Sequence, residues 1–135
     1  MRRCRLVLCT LLMCACTREP AGSDPAEIVF LEQDVATNEV MQALFEGRVV
    51  ADSAGCLRLH SDSGATVVWP KGFRLEKGGE LRVVDGGGRV VSNIGGEFHL
   101  GGGELSNISG FSESLQQKAR MCPGLYWIVG EYTTR

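Results

Sequence analysis

Glycine is concentrated in one part of this chain of 135 residues, because only Gly22 of its 18 glycines lies outside the segment 47–130. Within that segment, clusters of Gly, Asp and Ser separate short apolar runs at close intervals. Such clusters tolerate the positive backbone φ of tight turns, so the pattern is typical of an all-β fold. It predicts eight strands, over residues 48–51, 56–60, 65–69, 73–76, 80–84, 89–94, 97–100 and 125–132.

Short strands with this punctuation predict a mainly β fold. We expect a small antiparallel barrel, OB-like or of related topology, with one or two short flanking helices. The glycine triplets at 86–88 and 101–103 are not followed by a capped helix in a βαβ unit, as a phosphate-binding loop would be. We therefore expect both triplets to be turns.

The first predicted helix precedes the strands. Thr37 is a suitable N-cap, Gly47 is a suitable stop, and apolar residues between them recur four positions apart. The recurring pairs are Val40 with Leu44 and Met41 with Phe45. This spacing predicts a short amphipathic helix over 38–46 that docks on the core. The apolar run at 28–31, which comes before it, is expected to be a strand or an arm packed on the domain.

The second predicted helix precedes the last strand. Ser112 can cap its start, and the Cys-Pro-Gly sequence at 122–124 is suited to end it. Phe111, Leu115 and Ala119 recur at intervals of four and form the apolar stripe. The final strand would follow this helix directly.

The N-terminal segment has the organisation of an export signal. Arg2, Arg3 and Arg5 form a basic start, and an apolar run at 6–13 follows at once. A membrane-spanning helix needs about 20 apolar residues, so this run is too short to be a permanent anchor.

Residues 13–16, Met-Cys-Ala-Cys, resemble the lipobox of bacterial lipoprotein precursors, where a small residue precedes the cysteine that is lipidated. The resemblance implies that Cys16 carries a diacylglycerol thioether and an N-acyl chain, which together give stable membrane attachment. It divides the chain into a signal peptide at 1–15, a lipid attachment site and flexible tether at 16–27, and one domain at 28–135. Thr17 implies sorting to the outer membrane, with the domain in the periplasm or at the cell surface. An ordinary signal peptide, leaving a soluble periplasmic or secreted protein, is the alternative.

The net charge of the mature protein restricts its partners. Removal of the signal would take away three of the 14 basic residues and none of the 16 acidic ones. The remaining sequence has an acidic excess and no run of basic residues. We therefore expect neither nucleic acid nor anionic lipid head groups as partners.

Two of the six cysteines, Cys56 and Cys122, belong to the domain. An exported protein folds in an oxidising compartment, so we expect one disulfide between them. Neither lies in a C-x-x-C sequence, which argues against a metal or redox-active site. On the chain-entropy model, a bridge over such a long loop contributes about 4 kcal/mol. Because Leu57 and Leu59 share the face that would line the barrel, Cys56 should lie on the outer face, under the second helix.

The two histidines each have a carboxylate two positions away on the same strand face. His60 is followed by Asp62, and Glu97 precedes His99, an arrangement that could assemble a metal or acid–base site if the strands were neighbours. Strand alternation instead directs both histidines to solvent. The sequence also lacks the G-x-S-x-G, H-E-x-x-H and P-loop motifs, so we expect no catalytic residue, no metal and no cofactor.

The segment Trp69–Phe73 permits two interpretations. Trp69, Lys71 and Phe73 could form a partner-binding loop, since large aromatic side chains anchor protein interfaces. Alternatively, the two aromatic residues cap the core where Pro70 breaks one strand and starts another. The second interpretation is the one that the pattern favours.

The segment 47–131 combines a Gly-Cys-Leu strand, a Val-Trp-Pro-x-Gly-Phe segment and a late cysteine before a final aromatic strand. In these features it resembles small envelope β-barrel lipoproteins of bacteria, from which no activity can be transferred. We expect a non-catalytic binding or structural domain, held by its lipid anchor and bound to an envelope protein or cell-wall component. The alternatives are a proteinaceous inhibitor of a hydrolase that attacks the cell wall, and a small envelope enzyme.

Overall fold

The computed structural model describes residues 27–36 and 41–134. The predicted signal peptide, Cys16 and the tether up to residue 26 lie outside the described residues, so those assignments stay predictions. The elements of the described part are β1 (Leu31–Glu32), β2 (Ala43–Ala51), β3 (Leu57–Leu59), β4 (Thr66–Trp69), β5 (Arg74–Glu76), β6 (Arg82–Val84), β7 (Val90–Asn93), β8 (Glu97–Leu105), α1 (Glu113–Ala119) and β9 (Tyr126–Tyr132).

Five strands form a closed barrel in the order β2-β3-β4-β9-β8. The long strand β2 contributes to both sides of the closure, since its second half pairs with β3 and its first half with β8. All neighbours are antiparallel except β4 and β9, which run in parallel. The predicted mainly β fold with a small OB-like barrel is thus confirmed, and its one parallel pairing is an addition to the expected antiparallel pattern.

The predicted helix over 38–46 is wrong for the residues that the structure describes. Strand β2 begins at Ala43 and pairs with β8 from that residue onward. Its alternation places Val49 in the core and leaves Leu44 65% exposed. A spacing of four fits the strand period of two as well as the helix period, so the pair of Met41 and Phe45 did not distinguish the two structures. Residues 37–40 lie outside the described part.

The triplet at 101–103 is also not a turn, because it lies within β8. The register between β8 and β9 shifts at Gly101 and Gly102, which marks a β-bulge. At Gly102, an added Cβ would lie 2.9 Å from the carbonyl carbon of Ile128 and closer still to its oxygen. Glycine is therefore required here for the close approach of two strand backbones. The triplet at 86–88 does lie in a turn, as predicted.

Side chains fill the barrel interior. The core cluster contains residues from every barrel strand, including Val49, Leu57, Leu59, Val67, Trp69, Phe98, Leu100, Trp127 and Val129. A barrel of five strands encloses little more space than such side chains occupy. The interior of this barrel is therefore a packed core.

A second apolar layer covers the outer faces of β4 and β9. It contains Val68 and Ile128 from the strands and Leu115 and Ala119 from helix α1. The predicted second helix is confirmed, and the Ser112 hydroxyl accepts a hydrogen bond from the Leu115 amide at 3.2 Å. In the described part, no helix is long and apolar enough to span a bilayer.

The segment 27–33, here called the N-terminal arm, completes this second layer. Leu31 is fully buried in it, and β1 pairs in parallel with β4. Near its start the arm lies against the turn before β3, because the Val29 amide donates to the Gly55 carbonyl at 2.9 Å. The apolar run at 28–31 is thus an arm packed on the domain and, at its end, a strand.

Residues 70–94, here called the insert, form a separate three-stranded sheet between β4 and β8, in the order β5-β6-β7. Its inner face joins the barrel core through Phe73, Val83 and Val91. Tyr132 fixes the insert to the barrel, because its ring packs edge-on against Phe73 at 4.7 Å and its hydroxyl lies 3.3 Å from Asp85. The strands 73–76, 80–84 and 89–94 were predicted, but their separation into a second sheet was not.

Candidate interaction surface

The predicted partner-binding loop of Trp69, Lys71 and Phe73 is not formed. Trp69 is fully buried and Phe73 is 5% exposed, so neither ring can reach a partner. The centre of the Trp69 ring lies 5.8 Å from the ring centre of Phe30 in the N-terminal arm and 5.7 Å from that of Phe98 in the barrel. Its ring therefore joins the arm, the barrel and the insert, which is the core interpretation. Only Lys71 of the three is exposed.

Cys56 and Cys122 are joined by a disulfide, with their Cα atoms 5.7 Å apart. Both are buried in the second apolar layer beside α1, so Cys56 lies on the outer face of the sheet, as strand alternation predicted. The bridge holds the end of the helix to the start of β3. Because both sulfur atoms are buried among apolar side chains, we interpret the disulfide as structural.

Arg58 forms a polar cluster beside this disulfide. Its guanidinium donates to Asp52 at 2.6 Å, to the Thr66 hydroxyl at 3.0 Å and to the Pro123 carbonyl at 3.3 Å. Partial burial acts to raise the pKa of Asp52, but hydrogen bonds from Arg58 and from the Cys56 amide outweigh it and lower that pKa. These contacts connect the turn before β3, the first residue of β4 and the turn before β9.

The structure places the two histidines on the surface. His60 is exposed, and the His99 side chain is 52% exposed. His99 lies 3.2 Å from Glu46 of the neighbouring strand, rather than joining Glu97 in a site. Within residues 27–36 and 41–134, no three side chains of the His, Cys, Asp and Glu types are arranged to hold a metal ion.

The outer face of the insert collects basic side chains. Alternation along β5 sends Phe73 and Leu75 toward the barrel and Arg74 and Glu76 outward, and Glu76 is paired across the sheet with Arg82. Five of the nine basic residues in the described part lie in the insert: Lys71, Arg74, Lys77, Arg82 and Arg89.

Glu76 lies between two of these arginines. Arg82 donates to its Oε1 from Nε and Nη2, at 2.8 and 2.6 Å, and Arg74 donates to Oε2 at 3.2 Å. The hydrogen bonds from Arg82 are the main cause of its lowered pKa, and the charges of both arginines add to them. Glu76 thus stays ionised and holds the two guanidinium groups side by side.

Asp85 organises the turn at the other end of β6. Its buried carboxylate accepts hydrogen bonds from the backbone amides of Gly87 and Arg89 and from the Arg89 guanidinium, each at 2.9 Å. The Arg89 amide is the largest contribution to its lowered pKa, and it outweighs the opposing effect of burial. This carboxylate is fully engaged in holding the turn.

The charges of the domain are therefore segregated. The insert contains five basic and three acidic residues, whereas the rest of the described chain contains four basic and ten acidic ones. The insert contains no run of basic residues, and its basic excess appears only when this segment is considered apart from the rest of the domain. The five residues are separated in sequence by glycine, acidic and apolar residues. Arg74 and Arg82 lie in the paired strands β5 and β6, whereas Lys71, Lys77 and Arg89 lie in the segments that flank the strands. Counting the charged residues of the segment 70–94 separately would have identified this basic excess from the sequence.

A shallow groove begins beside Arg82. One part, of about 320 Å³, is lined by Glu76, Gly78, Gly79, Glu80, Arg82 and Asn93. A second part, of about 520 Å³, is lined by Glu80, Leu81, Asn93, Ile94, Gly95 and Gly96. The two parts share Asn93 and Glu80, whose side chains are hydrogen-bonded at 2.7 Å. The lining of the groove therefore includes polar side chains, exposed glycine backbone and the apolar residues Leu81 and Ile94.

Comparisons with models of protein families, with characterised proteins and with solved structures give no significant match to this chain.

Proposed function

We propose that this protein is a lipid-anchored binding domain of the bacterial envelope, tethered through Cys16 and without catalytic activity. The observation that carries the binding role is the segregated charge of the insert, whose outer face presents basic side chains on an otherwise acidic domain. Membrane attachment is supported by the lipobox-like sequence at 13–16 and by the short apolar segment that precedes it. Thr17 supports the outer membrane as the site of attachment.

A binding role at the surface is more consistent with this domain than chemistry in a pocket. The barrel interior is filled by side chains, and the inner face of the insert packs onto it. The carboxylates of Asp52 and Asp85 in the described part are bound by arginine and by backbone amides, which lowers their pKa. A general acid or base needs a pKa near the working pH, which is the opposite direction.

The N-terminal arm joins the proposed tether to the domain. The arm starts beside Gly55 and extends to Glu32, whose carboxylate accepts a hydrogen bond from the Gly72 amide at 2.7 Å. Five residues of extended chain span about 16 Å. Gly72 belongs to the insert, which therefore lies at the far end of the arm from the tether. In this proposal the tether enters the domain at the end of the arm away from the insert.

Metabolic labelling with a fatty acid tests the anchor. The unmodified protein should incorporate label and remain with the membrane fraction, and Cys16→Ser should lose both properties. Cys14→Ser is the matched control, because it removes the neighbouring cysteine and should leave labelling intact. Label that persists in Cys16→Ser, or is lost only in Cys14→Ser, would show that the lipobox is misplaced. Absence of label in every form would favour the soluble periplasmic alternative.

Inhibition of a cell-wall-attacking hydrolase is the second candidate function, and the β5–β6 hairpin favours it. The hairpin tip carries the exposed Lys77, followed by Gly78 and Gly79, which have no atoms of other residues near their open side. An exposed tip of this kind can enter an active-site cleft. Loss of inhibition on Lys77→Ala, with folding unchanged, would support this function over general binding.

A further inference from the structure

The basic face of the insert carries more positive charge than its own carboxylates neutralise. Lys71 and Lys77 have no hydrogen bond or ion pair with any residue of the described chain. Arg74 and Arg82 share one carboxylate, that of Glu76, and their side chains remain 54% and 47% exposed. Each guanidinium has five N–H donors, so most of the donors on Arg74 and several on Arg82 are free.

We propose that this face binds a carboxylate-rich glycopeptide polymer of the cell wall, of the peptidoglycan type. The proposal rests on the proposed function only for the compartment in which the polymer is met. Arginine forks bind carboxylates through paired hydrogen bonds, and exposed lysines add charge without fixed geometry. A polymer that repeats its carboxylates can engage several such weak contacts at once, which raises the overall affinity without a deep pocket.

The positions of the basic residues suit an extended ligand. Lys77 lies in the hairpin at one end of β5 and Lys71 lies in the turn before the other end, with Arg74 between them. The strand between Lys71 and Lys77 has three residues and spans about 10 Å. The groove that passes Gly78, Glu80 and Asn93 begins beside Arg82. The amide and carboxylate in it can hydrogen-bond the hydroxyl and acetamido groups of a glycan.

The same face is poorly suited to nucleic acid. Single-stranded nucleic acid is held by exposed aromatic rings on which its bases stack. Phe73 is the insert's one aromatic residue, and it is buried. An anionic bilayer is disfavoured as well, because the exposed large apolar side chains of the described part lie outside the insert.

Co-sedimentation with purified, detergent-insoluble cell walls tests the proposal, using full-length protein purified from cells in mild detergent. Unmodified protein should sediment with the walls, and the double variant Lys71→Glu/Lys77→Glu should bind about tenfold more weakly, since two weak charge contacts become repulsive. The matched control is Lys118→Glu/Arg120→Glu, which makes the same charge change on α1 and should bind as the unmodified protein does. Thermal unfolding of both variants checks that the domain remains folded.

Chemical change of the walls separates carboxylate recognition from other contacts. Conversion of the wall carboxylates to amides should abolish sedimentation, and rising salt should weaken it by screening. Equal loss in both double variants, or binding that survives amidation, would overturn the proposal. Failure of unmodified protein to bind walls would also overturn it, as would tighter charge-dependent binding to anionic lipid vesicles or duplex DNA. None of these results depends on fatty-acid labelling, so failure here is distinct from failure of the anchor.

Discussion

Replacement of Gly102 by alanine should destabilise the barrel severely. The new Cβ would lie 2.9 Å from the Ile128 carbonyl carbon, closer still to its oxygen, and 3.2 Å from Trp127 Nε1, whereas ordinary contacts begin at 3.4 Å. The backbone φ of +157° adds strain for any residue with a side chain. Strands β8 and β9 must then move apart, which costs about 1–3 kcal/mol as overpacking, with about 1 kcal/mol more for each ladder hydrogen bond lost. We expect a total of about 3–5 kcal/mol.

Gly130→Ala is the matched control for this prediction. Gly130 lies in β9 at the register shift opposite Gly101 and Gly102, but its φ is not positive and an added Cβ would contact nothing within 4 Å. Its replacement should change stability by less than about 1 kcal/mol, in the stabilising direction. Urea unfolding measures the difference in unfolding free energy between the two variants. In thermal unfolding, the midpoint temperature of Gly102→Ala should fall by about 10–20 °C. If the two variants are equally stable, the claim that the backbones of β8 and β9 approach closely at Gly102 is wrong.

Two further predictions concern the disulfide and the acid response. The double variant Cys56→Ser/Cys122→Ser removes a bridge across a sequence separation of 66 residues, and it should lose about 4 kcal/mol of unfolding free energy on the chain-entropy model; a urea midpoint that matches that of oxidised protein would contradict this. Asp52, Glu76 and Asp85 all have a lowered pKa in the fold, so their stabilisation is complete above the unfolded-state pKa of about 4 and is lost as the pH falls through the lower folded-state values. Unfolding measured from pH 6 downward should show this loss, and Asp85→Asn should reduce its slope; an unchanged slope would show that Asp85 does not contribute.

Local patterns in the sequence predicted the parts of this fold that depend on near neighbours. Ser112 was identified as a helix cap, and the alternation of Leu57 and Leu59 placed Cys56 correctly on the outer face. The disulfide partner followed by elimination, because only Cys56 and Cys122 belong to the domain. These inferences needed only the side-chain period of an element and the chemistry of the compartment.

Long-range pairing determined the parts that the sequence did not predict. Phe45 belongs to a strand because β8 lies beside it, and a spacing of four is compatible with either helix or strand. The triplet at 101–103 lies in a strand because the backbone of β9 approaches it closely, a fact with no local signature. The basic face arises in the same way, since β pairing joins residues that alternate with others along the chain. A charged surface assembled by such pairing can be predicted from the sequence only by comparing the net charge of one segment with that of the rest of the chain.

Site-specific photo-crosslinking in living cells tests the central claim most directly. A photoreactive residue in place of Lys77 samples the basic face, and one in place of Ser63 samples the turn between β3 and β4, which lies at the opposite end of β4 from the insert. Both positions are exposed. The account predicts that position 77 gives adducts that remain with the detergent-insoluble cell wall, and that position 63 does not. Wall adducts from position 63 alone, equal adducts from both positions, or none from position 77 would contradict a binding role for the insert.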